Sequence, residues 1–324
     1  MYIYIRISYN ALNCIIIDNF QGECYALIIN KNYTTIRKRD MKKIIIDCDN
    51  TFGVPNCDVD DGLAIIYALG TNKINLLGIT TTFGNSTIDI THPRTKFLLE
   101  EIGRDGIPVY RGAAVAEEEA TDAAYFLVEM ANQYPGEISL LALGSMTNLY
   151  AAWKLDPEFF NKIPEISLMG GVVEPLIING KQLNELNFSC DPLATLIVLT
   201  QGKSVSIATG NHCLEAFFSR EEFERRLSAA TGKHKWLYES IAYWFDRELS
   251  VFDNQGIYKW DVFAAAALIE PEWFHSCATE ISPTIASLST GNLLGGGEKV
   301  TVRLPKVKDG QAFTQHIYNT YFNY

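Results

Sequence analysis

No apolar stretch in the 324 residues approaches the length of about 18–20 that a membrane span needs, so a transmembrane anchor is not expected. There is no C-x-x-C pair, no internal repeat and no Pro- or Ser-rich linker, which argues against a zinc ribbon, a solenoid and a string of tethered modules. Positive charge is scarce: 27 Lys and Arg stand against 38 Asp and Glu, a formal net charge of −11. A nucleic-acid scaffold needs a basic face, so no nucleic-acid polymer is expected as partner. Carboxylates gathered around a cation are the more natural use of the surplus acid. The seven cysteines (14, 24, 48, 57, 190, 213 and 277) are odd in number and irregular in spacing, so they read as free thiols in a reducing compartment, with the cytoplasm as the expected location. With 48% apolar and 20% charged residues, the chain is neither disordered nor fibrous, and it is long enough to bury a core and hold a pocket without disulfide staples.

Residues 1–40 differ from the rest of the chain. They are rich in Ile, Tyr and Asn, contain one Gly and no Pro, and show no period. Apart from Arg6 they lack the marks of a signal peptide. The functional domain is therefore expected at 41–324, with 1–40 as an N-terminal extension; an extra edge hairpin is the alternative. The acidity belongs to the domain, which holds 22 basic against 35 acidic residues.

From Met41 onward, strand and helix patterns alternate. Ile44–Ile46 is a short apolar run of the kind covered on both faces, and residues 74–81, 108–110, 138–143, 166–169 and 204–208 read as further strands. Helical spacing occupies 60–69, 87–101, 122–133, 147–154 and 191–199, the last opened by Asp191 as N-cap and Pro192 at the first helical position. Helices dominate from 221 to 270. Such alternation implies a parallel sheet with right-handed crossovers in one α/β domain, and ligands bind beyond the carboxyl ends of its strands.

The polar residues at those ends are therefore the candidates. Asp47, Asp49, Asp58, Asp60 and Asp61 place five carboxylates within fifteen residues of the first strand's end. Packed like charges repel unless a cation compensates, and oxygen ligands suit a hard ion, Ca2+ or Mg2+. Asp58 or Asp60 could also cap the following helix, but capping needs one Asp, not five. Thr80-Thr81-Thr82-Phe83-Gly84-Asn85 follows the second strand, and Leu143-Gly144-Ser145-Met146-Thr147-Asn148 the fourth, where Thr147 or Asn148 reads as a helix cap. Met169-Gly170-Gly171 leads into a loop with Asn179, Glu185, Asn187 and Asp191. Trp260-Asp261 opens an apolar helix, where Asp261 serves as an ordinary N-cap unless it points into the pocket.

Taken in order, Ile44–Asp61, Thr-Thr-Phe-Gly-Asn, Pro-Gly-Glu-Ile (135–138), Leu-Gly-Ser-Met-Thr-Asn, Met-Gly-Gly, Glu-Leu-Asn and Trp-Asp resemble the inosine–uridine-preferring nucleoside hydrolase family, from about residue 41 to the C-terminus. The resemblance implies a doubly wound, mostly parallel sheet flanked by helices and a calcium-dependent N-ribohydrolase acting on a small-molecule nucleoside, as a homodimer or homotetramer. It implies Asp49 as calcium ligand and general base, Asp61 and Asp261 as further ligands, and Leu143 as a ligand through its backbone carbonyl. Asp60, Asn85, Asn179, Glu185 and Asn187 would hold the ribose, and Asp47 would be a structural group behind the ligands. Two departures stand out. The first loop, Asn50 to Val59, is longer than the family's, which leaves Asp49 and Asp58 as rivals for the base position. Trp260 stands where many members have a histidine acid, and no His lies in 111–125. His92, His212, His234, His275 and His316 match no role.

The expected chemistry is attack of a calcium-acidified water on a ribosyl cation, with Asp49 taking the water's proton. Stacking of Trp260 on the base, worth about 1–3 kcal/mol, suggests purine or broad substrates. Two alternatives stay open: Asp47-Cys48-Asp49-Asn50-Thr51 also matches the D-x-D-x-T signature of Mg-dependent haloacid-dehalogenase-type phosphatases, and the altered loop suits a nucleoside-binding protein without catalysis.

Overall fold

The computed structural model describes residues 6–9, 14–18, 24–28, 41–227 and 232–321, in two compact units, 1–41 and 42–324. In the first, strands Arg6–Tyr9, Cys14–Asp18 and Cys24–Ile28 pair as an antiparallel meander. Most of the expected extension 1–40 lies outside the described residues.

The second unit is built on β1 (Lys42–Cys48), α1 (Asp60–Gly70), β2 (Ile74–Thr81), α2 (Ile88–Glu101), β3 (Val109–Arg111), α3 (Asp122–Gln133), β4 (Ile138–Ala142), α4 (Thr147–Leu155), β5 (Glu165–Met169), α5 (Pro192–Gln201), β6 (Val205–Ala208), α6 (Lys233–Phe252), α7 (Trp260–Ile269), β7 (Phe274–Ile281), β8 (Val300–Val307) and α8 (Gly310–Tyr321). Its eight-stranded sheet runs in the order β7-β8-β6-β5-β4-β1-β2-β3. Every pairing is parallel except β7 with β8 at one edge. The β7–β8 pair and α8 lie beyond the last element read from the sequence.

The β-branched run of β1 shows why the sheet is covered on both faces. Ile44 and Ile46 pack into one layer with Leu63 and Ile66 of α1 and Val262 and Ala266 of α7, whereas Ile45 faces the other layer with Phe126, Leu149 and Phe159. The strand order reverses between β1 and β4, and that reversal opens a crevice at their carboxyl ends. Asp47 and Asp49 sit at one lip and Leu143 at the other, joined by the Leu143 N–H donating to the Asp47 carbonyl at 2.8 Å. Among the described residues no helix is long and apolar enough to cross a membrane.

Candidate active site

Acidic residues from distant parts of the chain converge on this crevice. Asp60, Asp61 and Asp261 are buried and offer carboxylate oxygens all within 4.8 Å of one another. Two come from the first turn of α1 and the third from the first turn of α7, helices that pack side by side. None of them caps its helix: the N-cap positions are Val59 and Lys259, without side-chain bonds, so the capping alternatives for Asp58, Asp60 and Asp261 are not realised. Burial first, and the charges of neighbouring carboxylates second, push Asp60, Asp61 and Asp261 well above the usual carboxylate range.

Asp49 is wholly buried beside this group. Its N–H donates to Asp61 Oδ1 at 3.2 Å, and its carboxylate accepts from the Asn85 backbone N–H and from Asn85 Nδ2 at 3.3 Å. The Asn85 amide also donates to Asp61 Oδ2 at 3.2 Å, so it bridges the two. Backbone closes tightly on Asp49: a Cβ on Gly84 would lie 2.0 Å from its Oδ2, and one on Gly144 3.2 Å from its Cβ. Only glycine permits that approach.

Asp47, 2% exposed, sits behind. Thr80 Oγ1 and Asn148 Nδ2 donate to its Oδ1 at 2.5 and 2.7 Å, and burial raises it to about 7. It is buried and lines neither of the two chambers described below, so the phosphatase reading lacks an accessible nucleophile there. Asn148 is thus a support for Asp47 and not the helix cap its position suggested, and Thr147 donates to Asp191 at 2.7 Å. Asp191 does cap α5, accepting from the Ala194 N–H at 3.0 Å.

In front of the carboxylates opens a cavity of about 290 Å3. It is lined by the carboxyl groups of Asp58, Asp60, Glu185 and Asp261, by the amides of Asn85, Asn184 and Asn187, and by Leu143, Met169, Leu176 and Trp260. Glu185 accepts from the Phe188 and Ser189 N–H groups, which fix it, and burial raises it to about 6. Asn187 Nδ2 donates to the Leu143 carbonyl at 2.8 Å and to that of Met169 at 3.1 Å. A second chamber of about 340 Å3 shares Asp58, Asn85, Leu183, Leu186 and Trp260 with the first and adds Cys57, Trp244, Arg247, Glu248 and Phe252. Such volumes suit a small-molecule ligand.

Of the expected site residues, Asp47, Asp49 and Asp61 are buried behind the cavity lining, whereas Asn179 is brought neither to the cavity nor to the carboxylates. It is exposed at the tip of a hairpin, with positive φ, and its amide donates to the carbonyls of Phe252 and Asp253 at 3.1 and 2.9 Å. The long first loop is well anchored: Thr51 Oγ1 donates to the Asp58 carbonyl, and the Tyr243 hydroxyl of α6 lies 2.9 and 3.0 Å from the carbonyls of Val54 and Cys57. Sequence reasoning missed Lys259, whose buried amine has no hydrogen-bond partner and lies 4.5 Å from the Phe218 ring centre. It also missed the whole second chamber. Neither had a local signal.

The donor set fits a hard divalent cation. All candidate ligands are oxygens, and two oxygens about 2.4 Å from a shared ion lie at most about 4.8 Å apart, a limit that the Asp60, Asp61 and Asp261 oxygens keep within.

Residues 44–315 match the family model described as inosine-uridine preferring nucleoside hydrolase. The chain is 30% identical over 267 residues to a protein named probable uridine nucleosidase 2 from Arabidopsis thaliana, covering 72% of this chain and 80% of that one. It is 31% identical to uridine nucleosidase 1 of the same plant, covering 72% and 75%. Among solved structures, a plant nucleoside hydrolase superposes with a TM-score of 0.75 at 23% identity, over 86% of this chain and 98% of that one. With this match across most of its length, and with the sheet and acidic crevice in place, the chain belongs to the inosine–uridine-preferring nucleoside hydrolase family and is a ribonucleoside hydrolase.

Proposed function

We propose that the protein cleaves the N-glycosidic bond of ribonucleosides to free base and ribose, with Ca2+ held by Asp49, Asp61, Asp261 and the Leu143 carbonyl. Asp60 belongs to the same carboxylate group and also faces the cavity, where a ribose hydroxyl can reach it. When bound, the ion supplies positive charge that makes a nearby water more acidic. Asp49 accepts that water's proton as the water adds to C1′. Glu185, fixed by backbone N–H groups, faces the positive charge that develops on the ribose. Asn85 and Asn187 hold ribose hydroxyls and orient C1′. Asp47 keeps the strand ends in place through Thr80 and Asn148.

Trp260, half-buried between the two chambers, stacks on the departing base. Every nucleobase has a π-face, so this favours broad specificity that includes purines. The relatives named for uridine support pyrimidines within that range. The functional unit is residues 41–324, acting in the cytoplasm as a homodimer or homotetramer; the free cysteines among the described residues suit a reducing compartment.

The observation that carries this reading is the buried group Asp60, Asp61 and Asp261, drawn from distant parts of the chain to the crevice where the strand order reverses. A reducing-sugar assay on inosine, adenosine, uridine and cytidine tests it. Ribose release that chelator abolishes and calcium restores is expected; no release from any nucleoside, or release indifferent to chelator, overturns it. Trp260→Ala should lower inosine turnover, and unchanged turnover removes the stacking role.

A further inference from the structure

A base that leaves a ribonucleoside carries the bonding electrons away on nitrogen and departs slowly unless a proton meets it. Among the described residues no histidine lines either chamber. The second chamber does hold a carboxyl group with no part in the hydrolytic steps so far assigned. Glu248, on the last turns of α6, is 6% exposed and forms part of that chamber's wall. The ribose-binding groups Asp60, Glu185 and Asn187 belong to the first chamber alone, and Trp260 belongs to both. A nucleoside seated with its sugar on those three directs its base past Trp260 toward Glu248.

We propose that Glu248 is the leaving-group acid, donating its carboxyl proton to the departing base; the assignment rests on the hydrolytic reading of the same site. The step balances. The C1′–N bond breaks with its electron pair on the base, and the Glu248 proton forms the new bond to the base. Water adds to C1′ and gives its proton to Asp49. Glu248 is left ionised and Asp49 protonated, and one proton passed through solvent restores both.

The surroundings of Glu248 suit this task. Its Oε1 accepts from Arg247 Nη1 at 2.9 Å, and the guanidinium is steadied over the Trp244 ring, 4.3 Å from its centre. Facing it are Asp58 from the long first loop, Arg247 on its own helix, Asn254 just past the helix end and the Tyr258 phenol on the following strand. Burial, reinforced by the charge of Asp58, raises Glu248 to about 7 against the pull of Arg247, so a substantial fraction of the carboxyl keeps its proton near neutral pH, far more than for an ordinary glutamate. Arg247 cannot substitute, because a guanidinium does not give up its proton. Asp58 touches Asp60 beside the metal-binding carboxylates and is less suited to hold a proton for the base.

The test compares the full-length wild type with Glu248→Gln in calcium-containing buffer on inosine, uridine and 4-nitrophenyl β-D-ribofuranoside. The nitrophenolate of the last leaves without a proton, so it also reports whether the variant folds and binds ribose. The variant should lose about 100-fold or more in kcat on both nucleosides while staying within about threefold on the nitrophenyl riboside. Wild-type nucleoside turnover should fall as pH rises through about 7, and that limb should vanish in the variant. Equal losses on all three substrates would make Glu248 a structural prop, and unchanged nucleoside rates would make it a bystander; either result overturns the assignment while the hydrolase reading stands. A wild type that releases ribose from none of the three refutes the hydrolase reading and this assignment together.

Discussion

Replacing Asp261 with Asn should change stability in opposite directions with and without cation. Asp60, Asp61 and Asp261 bring carboxylate oxygens within 4.8 Å of one another. At the outer limit of that separation and an effective dielectric of about 20, an ionised pair repels by about 3.5 kcal/mol, and more if closer. Proton uptake relieves part of this, which is why all three carboxyls are raised. Folded carboxyls held above their unfolded values bind extra protons, so wild type in chelator loses stability as pH rises above the ordinary carboxylate range. In chelator near neutral pH, Asp261→Asn removes two of the three repulsions; after allowing for protonation, the gain is about 2 kcal/mol, or roughly 4–6 °C in Tm. With calcium at about a hundred times its Kd, wild type gains about 2.7 kcal/mol from binding, which the variant largely forfeits. Thermal unfolding followed by circular dichroism, in chelator and in calcium, reads both. A variant that melts lower than wild type by the same margin in both buffers refutes the argument, because the carboxylate is then only a packing element.

The same geometry sets further expectations. Asp49→Asn should reduce kcat by about 100- to 10,000-fold with the fold intact by circular dichroism, whereas Asp58→Asn should cost far less; the reverse order would make Asp58 the general base. Burial raises Glu185 to about 6, so its useful carboxylate form is lost as pH falls through that value, and kcat/KM should show an acid limb near 6 that disappears in Glu185→Gln. The same raised value means Glu185 itself lowers stability as pH rises from its unfolded value to about 6, so Glu185→Gln should flatten the unfolding free energy over that window. Gly84→Ala sets a methyl 2.0 Å from Asp49 Oδ2, and should cost about 1–3 kcal/mol of stability and most of the activity. Near-normal turnover in that variant would show that the backbone can yield there.

The parts of the fold visible in the sequence are those set by local chemistry. The isoleucine run of β1 and the Asp191-Pro192 opening of α5 declare themselves through β-branching and capping preference. The strand-end rule then points to Asp47, Asp49, Asp60, Asp61, Glu185 and Asn187. The hidden parts depend on the assembled layers. Nothing near Asn148 in the chain says that it serves Asp47, because Asp47 belongs to a different strand. Lys259 reads as an ordinary surface residue until Phe218 and Tyr321 enclose it. Glu248 sits in a helix rich in charge and aromatics, and only the neighbouring long loop turns its face into a chamber wall. The β7–β8 pair carries alternating residues in the sequence, but its position at the sheet edge comes from β6.

The acids of the crevice also bear on the order in which the chain assembles. Asp60 and Asp61 arrive early with α1, whereas Asp261 arrives with α7, some two hundred positions later in the sequence. Seating α7 against α1 brings these like charges together at this end of the sheet. A bound cation acts as a latch that holds the two helices together, so withdrawing it should lower the exchange protection of the α7 amides.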